Sequence, residues 1–352
     1  MDKSSTLPLV TVCIPAYNAE KTIRETLNSI LAQDYPNIEI MVCDNLSTDK
    51  TAEIVKSYEI KGVQYVLNTT KGTAEENWNF ALDFCKGDLI ALYHADDVYL
   101  PSMISQQVKL LSANPDVCSV FVMASLINEN GEQLRLKNST VSSIPECNAE
   151  TKIFDFQSVL NDVLKYSNFI KTPTLVTRRE TFNAIGKFNL KYKSSADLDL
   201  WLRMARYKSI GIINKPLFKY RISGSQGSAA IYNRITELPD FFRVCGDYIK
   251  NYKQLISDNS LGFYNMIKGG ELILCSMNLI LTHEIKKAKN NLKEALTFQN
   301  AEYAASKKRM LLRYVIGFLF YAAIFLGISQ PIARVVNKIY TKDKNKWNQP
   351  LK

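Results

Sequence analysis

Val10-Thr11-Val12-Cys13-Ile14-Pro15-Ala16-Tyr17-Asn18 is a short apolar run that ends in polar residues, and it decides the fold class. The helical stretch Glu20–Ala32 follows it, and a second apolar run, Ile38–Cys43, comes next. Short apolar runs that alternate with helical stretches indicate βαβ units. Each run is almost continuously apolar, which is typical of strands that helices cover on both faces. The pattern predicts an α/β fold with a mostly parallel sheet flanked by helices.

The alternation continues to about residue 225. Further predicted strands and helices are Asp49–Tyr58, Val63–Leu67, Thr73–Cys85, Leu89–Tyr93, Pro101–Asn114, Val117–Ile127, Thr172–Thr177, Asp197–Tyr207 and Ile210–Asn214. The glycine- and serine-containing stretch Ser223–Ser228 marks the predicted end of this domain, and the pattern beyond it is helical. We therefore predict an N-terminal tail (1–8), an α/β domain (9–225), a helical extension (226–305) and a basic, apolar C-terminal segment (306–352).

Composition and charge limit the class of protein. The 352 residues are 46% hydrophobic and 22% charged, which is typical of a folded globular chain. The formal charge of +10 predicts an anionic partner, and the basic residues crowd the C-terminal segment. Seven scattered cysteines without a CxxC spacing indicate reduced, buried thiols, and the N-terminus lacks the apolar stretch of a signal peptide. We expect a cytoplasmic protein.

The segment Tyr314–Ala333 contains no charged residue and has basic residues on both sides. Its most apolar part, Tyr314–Ile328, would form a helix of about 22 Å at 1.5 Å per residue, which is short for a membrane span. The sequence predicts a peripheral helix in the cytoplasmic leaflet of a membrane. The alternative is a buried or oligomer-packing helix, because the segment has no evident polar face.

His94-Ala95-Asp96-Asp97 follows the apolar strand Leu89–Tyr93 directly. Adjacent carboxylates at the end of a strand, in a basic chain, predict a site for a hard divalent cation that also contacts diphosphate. The alternative is the acidic start of a helix.

The order of the motifs resembles glycosyltransferase family 2, whose catalytic domain has the GT-A fold. The matching motifs are Val12–Glu20, Asp44–Asp49, Asn68–Asn77, Asp96-Asp97 and Ala196–Trp201. The resemblance covers nearly all of residues 8–225. It implies an inverting enzyme that uses a divalent metal, Mn²⁺ or Mg²⁺, to move a sugar from a nucleotide diphosphate sugar, with UDP-sugar favoured. The implied acceptor is a glycan or lipid-linked glycan of surface polysaccharide biosynthesis.

The resemblance also implies roles for individual residues. Nucleotide-binding roles are implied for Pro15, Ala16, Tyr17, Glu20, Asp44, Asn77 and Asp96. The alternative for Asn77 is a position on the surface of a helix. Asp44 would accept a hydrogen bond from the base, although a capped turn also explains it. Of the metal-site candidates Asp96 and Asp97, one would bind the metal and the other would contact the ribose or metal-bound water, and the sequence does not assign the two roles. His94 stands where the family usually has the first aspartate of its metal motif, and we predict that it supports the metal without ligating it.

Asp197 matches the family's catalytic base, although Ala196 replaces the glutamate that commonly precedes it. Trp201 would stack on a sugar or else lie in the core, and Arg221 would contact diphosphate or else pair with an acidic neighbour. Asp199 is predicted to be a helix-surface or capping carboxylate. Ser223 replaces a histidine of many relatives.

Two other classes of function compete with this interpretation. A Rossmann oxidoreductase needs a glycine fingerprint after the first strand, which Pro15-Ala16-Tyr17-Asn18 is not. A catalytically degenerate peripheral membrane or nucleotide-binding protein would explain the departures at His94, Ala196 and Ser223. No nucleic-acid partner is expected, because the α/β part carries carboxylates rather than a basic, aromatic surface.

Overall fold

The computed structural model describes residues 7–134, 144, 147–222, 236–305 and 308–347. The chain divides into two compact units, residues 1–160 with 168–223 and residues 161–167 with 224–352. The first unit is α/β and the second is helical. The predicted domain end, at Ser223–Ser228, lies outside the described residues.

One ten-stranded sheet organises the first unit. Its strands are β1 Val10–Ala16, β2 Ile38–Asp44, β3 Val63–Leu67, β4 Leu89–Leu92, β5 Val98–Tyr99, β6 Val117–Ile127, β7 Gln133–Leu134, β8 Thr151–Phe154, β9 Leu175–Arg178 and β10 Ser209–Arg221. Their order is β3-β2-β1-β4-β9-β6-β10-β5, with β7 beside β6 and β8 beside β10. Strands β3, β2, β1 and β4 are parallel, as are β6 and β10, so the predicted mostly parallel sheet is confirmed.

Helices pack on the sheet through apolar faces. They are α1 Ile23–Leu31, α2 Thr51–Lys56, α3 Ala74–Asp83, α4 Met103–Ala113, α6 Arg179–Ile185 and α7 Ala196–Tyr207. A further helix, α5 Phe156–Tyr166, begins in the first unit and ends in the second. In α1, Ile23, Leu27 and Ile30 recur at helical spacing and are buried in the core. A capping box of Thr73 and Glu76 begins α3.

The predicted strand Thr172–Thr177 is wrong in its first half. Thr172–Thr174 is a 3₁₀ turn, and the strand begins at Leu175. Pro173 has no backbone N–H to give to a ladder, which favours the turn. The strand β9 runs antiparallel to both β4 and β6. As a result, the residues before β9 lie beside the carboxyl end of β4.

The second unit contains α8 Asp240–Tyr252, α9 Asp258–Leu281, α10 Ile285–Ala295, α11 Phe298–Ala305, α12 Lys308–Phe325 and α13 Ser329–Trp347. Tyr314 of α12 packs closely on α9, where Gly269 leaves room for its ring and the hydroxyl donates to the Met266 carbonyl at 3.0 Å. The apolar segment predicted as one helix is interrupted at Gly327, whose φ of +70° favours glycine. Among the described residues, no helix has both the length and the apolar character that crossing a membrane requires.

Candidate functional site

The carboxyl ends of β2, β1 and β4 meet at one edge of the sheet. Ala16 pairs with Asp44, and Cys13 pairs with Leu92, so the segments that follow these strands are neighbours. Crevices outside the carboxyl ends of parallel strands are where open α/β sheets bind ligands. The sheet therefore brings together three of the predicted polar segments.

Hydrogen bonds join the loops that follow β1 and β2. Asn18, with φ of 48°, donates its N–H to Ser47 Oγ at 2.9 Å and accepts from the Thr48 N–H at 2.9 Å. Glu20 Oε2 accepts from the Lys50 N–H at 3.0 Å. Asparagine tolerates the left-handed conformation better than most residues. Glu20 thus holds the neighbouring loop, and its contact with a nucleotide stays a prediction.

Asp44 is buried at the end of β2 with most of its acceptor capacity already used. Its Oδ1 accepts from the N–H of Ser47 at 2.9 Å and from its Oγ at 2.6 Å. Its Oδ2 accepts from the Tyr65 hydroxyl at 2.9 Å. Burial, with Asp44 nearby, raises the pKa of Tyr65 to about 12. A carboxylate has about four acceptor positions, so three of them are used within the protein.

Tyr17 is the exposed aromatic residue of the predicted nucleotide loop. Its side chain is 46% exposed, and Lys71 Nζ donates to its hydroxyl at 2.9 Å and lies 4.8 Å from its ring centroid. Sequence reasoning did not select Lys71, although a lysine within Asn68–Asn77 was a usable signal for phosphate binding. Of the first loop, Ala16 is buried and Pro15 is half-buried.

Asn77 is a buried residue of α3. Its side chain is 3% exposed, donates to the Cys43 carbonyl at 3.1 Å and accepts from Asn68 Nδ2 at 3.2 Å. The first bond attaches α3 to β2, and the second attaches it to the residue that follows β3. The burial and the internal hydrogen bonds of Asn77 do not support its predicted contact with the nucleotide.

His94, Asp96 and Asp97 form a cluster whose ligand atoms all lie within 4.8 Å of one another. Asp97 Oδ1 accepts from the Arg221 N–H at 2.8 Å. In the described part of the chain, Asp97 Oδ2 and His94 Nε2 are buried without a hydrogen-bond partner. Buried polar atoms normally have partners, so these two atoms fit a divalent cation. Two carboxylates and an imidazole suit Mn²⁺ better than Mg²⁺.

The ring of His94 is held in place by an aromatic neighbour. Trp78 stacks on it with centroids 5.6 Å apart and an interplanar angle of 22°, and Trp78 also contacts Phe188 at 5.0 Å. Burial lowers the pKa of His94, while Asp96 opposes that shift. A neutral imidazole has a lone pair for a metal. The geometry therefore favours His94 as a ligand, where the sequence predicted only a supporting role.

Arg221 holds the segment that contains Asp96 and Asp97 through hydrogen bonds. Its side chain is buried, with Nη2 paired to Glu25 Oε2 at 2.6 Å and Nε donating to the Asp96 carbonyl at 2.8 Å. Its Nη1 donates to the carbonyls of Asn128 and Glu129 at 3.2 and 3.1 Å. The structure does not support the predicted contact of Arg221 with diphosphate. It agrees with the alternative, an acidic neighbour, which is Glu25. Ser223 lies outside the described residues.

Asp197 lies in the first turn of α7. Its Oδ2 accepts from Asn168 Nδ2 at 3.1 Å and from Thr172 Oγ1 at 3.4 Å, and its Oδ1 accepts from the Leu198 N–H at 2.7 Å. Burial raises the pKa of Asp197, against the opposing effects of the Leu198 N–H and of Lys171. A carboxylate of this kind can take a proton from a substrate hydroxyl.

The acidic cluster and Asp197 belong to the same edge of the sheet. Leu92 of β4 pairs with Leu175 of β9, so the turn that contains Thr172 lies next to the residues that follow β4. Burial, then Asp97, Asp96 and Asp197, raise the pKa of Tyr220. Tyr220 is thus within electrostatic reach of all three carboxylates. Its position before Arg221, at the end of β10, was the only sequence signal for it.

Trp201 and Asp199 are structural residues. Trp201 is fully buried and packs edge-on against Phe121 with centroids 4.8 Å apart, so it cannot stack on a sugar in this structure. Its position in α7 places it on the core face. Asp199 is buried and pairs with Arg203 at 2.7 Å. That pairing departs from the helix-surface or capping role predicted for Asp199.

Residues 11–186, half of the chain, match the family described as Glycosyl transferase family 2. An uncharacterised glycosyltransferase of Rickettsia felis is 32% identical over 65% of this chain, which spans 37% of that protein. The Escherichia coli protein described as UDP-Glc:alpha-D-GlcNAc-diphosphoundecaprenol beta-1,3-glucosyltransferase WfgD is 29% identical over 69% of this chain and 87% of its own length.

Solved structures share the fold at lower identity. S. aureus TarS 1-349 in complex with UDP-GlcNAc aligns with a TM-score of 0.57 and 20% identity, covering 94% of this chain and 92% of that one. The mannosyltransferase PcManGT from Pyrobaculum calidifontis, in complex with GDP-Man and Mn²⁺, aligns with a TM-score of 0.53 and 18% identity, covering 95% and 88%. Both support a GT-A-type fold.

Proposed function

The chain belongs to glycosyl transferase family 2 and is a glycosyltransferase, and on that premise we propose that it transfers the sugar of a UDP-sugar to a hydroxyl of a lipid-linked glycan with inversion. The observation that carries this proposal is the meeting of two groups at one sheet edge. One is the cluster of His94, Asp96 and Asp97, and the other is Asp197. The acceptor class supports a role in surface polysaccharide biosynthesis.

We assign the metal ligands to Asp96, Asp97 and His94. A divalent cation there would neutralise charge that develops on the leaving diphosphate. Arg221 donates hydrogen bonds to the Asp96 carbonyl and the Asp97 carboxylate and so holds both in position. An ion pair with Glu25 fixes the guanidinium of Arg221. Trp78 fixes the imidazole plane of His94. These contacts preorganise the ligands, which lowers the cost of binding the metal.

Asp197 is the proposed general base. It takes the proton from the acceptor hydroxyl as the hydroxyl oxygen attacks the anomeric carbon of the sugar. The bond from that carbon to the diphosphate breaks on the opposite face, so the configuration inverts. Asn168 and Thr172 donate hydrogen bonds to Oδ2 of Asp197 and thereby fix the orientation of the carboxylate. Burial raises the pKa of Asp197, which makes it a better proton acceptor than an ordinary aspartate.

The donor is proposed to carry uracil. The remaining acceptor position of Asp44 suits the imide N–H of that base, and the exposed ring of Tyr17 offers an apolar face next to it. The E. coli relatives WfgD and WfaP are both described as UDP-Glc-dependent, and TarS was solved with UDP-GlcNAc. Lys71, whose ammonium group donates to the Tyr17 hydroxyl, is proposed to contact the diphosphate of the donor.

Nucleotide release from UDP-, GDP- and dTDP-sugars, with and without Mn²⁺, tests the proposed donor. We expect metal-dependent release from a UDP-sugar and little release from the other two, because the relatives WfgD and WfaP are described as UDP-Glc-dependent. Tyr17→Ala should weaken UDP binding about tenfold, within the range for one stacked base. Preferred turnover of a GDP-sugar would overturn the assignment of the base.

A further inference from the structure

Helix α12 has two different faces. Tyr314, Phe320 and Ala323 point into the core of the second unit. The opposite side, which we call the α12 apolar face, consists of side chains that are 43 to 64% exposed: Leu311, Leu312, Val315, Phe318, Leu319 and Phe325. Their spacing of three and four residues places them along one side of the helix. The helix is therefore packed against protein on one side only.

The α12 apolar face is the main concentration of exposed apolar side chains in the described residues. Of the seventeen large exposed apolar residues, nine lie between Leu311 and Val335. Leu326 and Ile328 continue the face beyond the end of the helix, at 71 and 47% exposure. Contiguous apolar surface of this kind marks an interaction site rather than ordinary surface.

Charge identifies the partner. Residues 308–347 contain eight basic residues and one acidic residue, Asp343, and they include most of the chain's excess charge of +10. Of the eight, Arg313 is paired with Glu271 at 3.0 Å. Arg334 and Lys338, which follow the apolar face in α13, are exposed. Apolar side chains between basic residues match an anionic lipid surface, where the apolar groups enter the acyl region and the cations meet the phosphates.

The same charges disfavour a second copy of the chain as the partner. A two-fold interface would bring the two basic segments together, and like charges at an interface oppose association. A membrane span is also disfavoured, since one side of α12 is buried against protein. Its 18 residues correspond to about 27 Å, slightly less than the apolar thickness of a bilayer.

We propose that α12 lies in the plane of an anionic membrane surface, with its apolar face below the headgroups and Arg334 and Lys338 at the phosphates. The inference is independent of the proposed chemistry, because it rests on the second unit alone. It gives a physical basis to the peripheral membrane location that the sequence predicts.

Sedimentation of the full chain with lipid vesicles tests the proposal. We expect binding to vesicles that contain phosphatidylglycerol, weak binding to pure phosphatidylcholine, and loss of binding at high salt, because salt screens the attraction. The double substitution Phe318→Glu with Leu319→Glu should lower the partition constant by about tenfold or more, since charges replace two inserted apolar groups.

Ile60→Glu is the matched control, because Ile60 is 92% exposed but lies in the first unit. It should bind vesicles like the parent protein. UDP release in solution should be unchanged in both variants, which separates a failure of docking from a failure of the catalytic proposal. Equal sedimentation of the parent and the double variant would overturn the inference. So would a dimer, detected by light scattering, that the double variant dissociates.

Discussion

Replacement of Asp197 by asparagine is expected to lower the rate of sugar transfer by about 10²- to 10⁴-fold, the contribution of a well-placed general base. The amide keeps the shape of the side chain but cannot take the acceptor proton. Binding of UDP should be nearly unchanged, because the contacts of Asp197 are with Asn168, Thr172 and Leu198 rather than with the proposed nucleotide loops. Steady-state transfer rates and calorimetric titration with UDP measure the two quantities separately.

Asp199→Asn provides a control two residues further along α7. Asp199 is buried and paired with Arg203, so its loss should lower thermal stability while transfer by the folded protein persists. Similar losses of transfer in both variants, or loss of UDP binding in Asp197→Asn, would show that the substitution acts through the fold.

The pH profile of the parent enzyme tests the same role. A base is active only when deprotonated, and burial raises the pKa of Asp197. Transfer should therefore fall as the pH falls through that raised pKa, above the usual aspartate value of about 3.9. Lys171 lowers the pKa of Asp197, so Lys171→Met should move this acidic limb to higher pH. An acidic limb that Lys171→Met leaves in place would contradict the assignment.

Asp97→Asn should weaken Mn²⁺ binding by about 10²-fold or more and lower transfer by about 10³-fold, because Lewis-acid stabilisation contributes several kcal/mol. The amide oxygen can still accept from the Arg221 N–H, so the loop should keep its shape. Burial and Asp96 raise the pKa of Asp97 well above its usual range. The neutral variant should therefore be at least as stable as the parent without metal. Thermal unfolding and the Mn²⁺ signal in electron paramagnetic resonance, recorded with UDP, measure these effects.

His94→Asp is the informative companion of Asp97→Asn. A third carboxylate in place of the imidazole should keep a metal site but move its preference from Mn²⁺ toward Mg²⁺. Asp116→Asn, at an exposed aspartate outside the cluster, should leave the affinity for both ions unchanged. Unaltered Mn²⁺ binding in Asp97→Asn would remove Asp97 from the ligand set.

The strands and helices of the first half of the fold follow from local sequence patterns. The strands β1, β2 and β3 are apolar runs whose bounds were predicted within two residues. The position of β9 was harder to predict, because a long connection precedes it and apolar alternation does not encode strand direction. Pro173 was the local signal for the turn before it, and it was overlooked.

The chemistry of the site could be predicted only in part. Asp44, Asp96, Asp97 and Asp197 could be selected as candidates because carboxylates at strand ends and the order of motifs are visible in the sequence, and their roles stay predictions. The burial of Asn77, Trp201 and Arg221 could not be predicted, since it depends on which elements of the fold pack against them. The ligand geometry of His94 depends on Trp78, a contact that spans two elements and that no local pattern encodes.

The anomeric configuration of the transferred sugar tests the central claim most directly. The parent enzyme would be given an α-linked UDP-sugar, Mn²⁺ and a diphospholipid-linked sugar acceptor, and the new linkage would be assigned by nuclear magnetic resonance. Direct attack by a hydroxyl that Asp197 deprotonates predicts a β linkage. An α linkage would contradict the single-displacement account and the role of Asp197 in it.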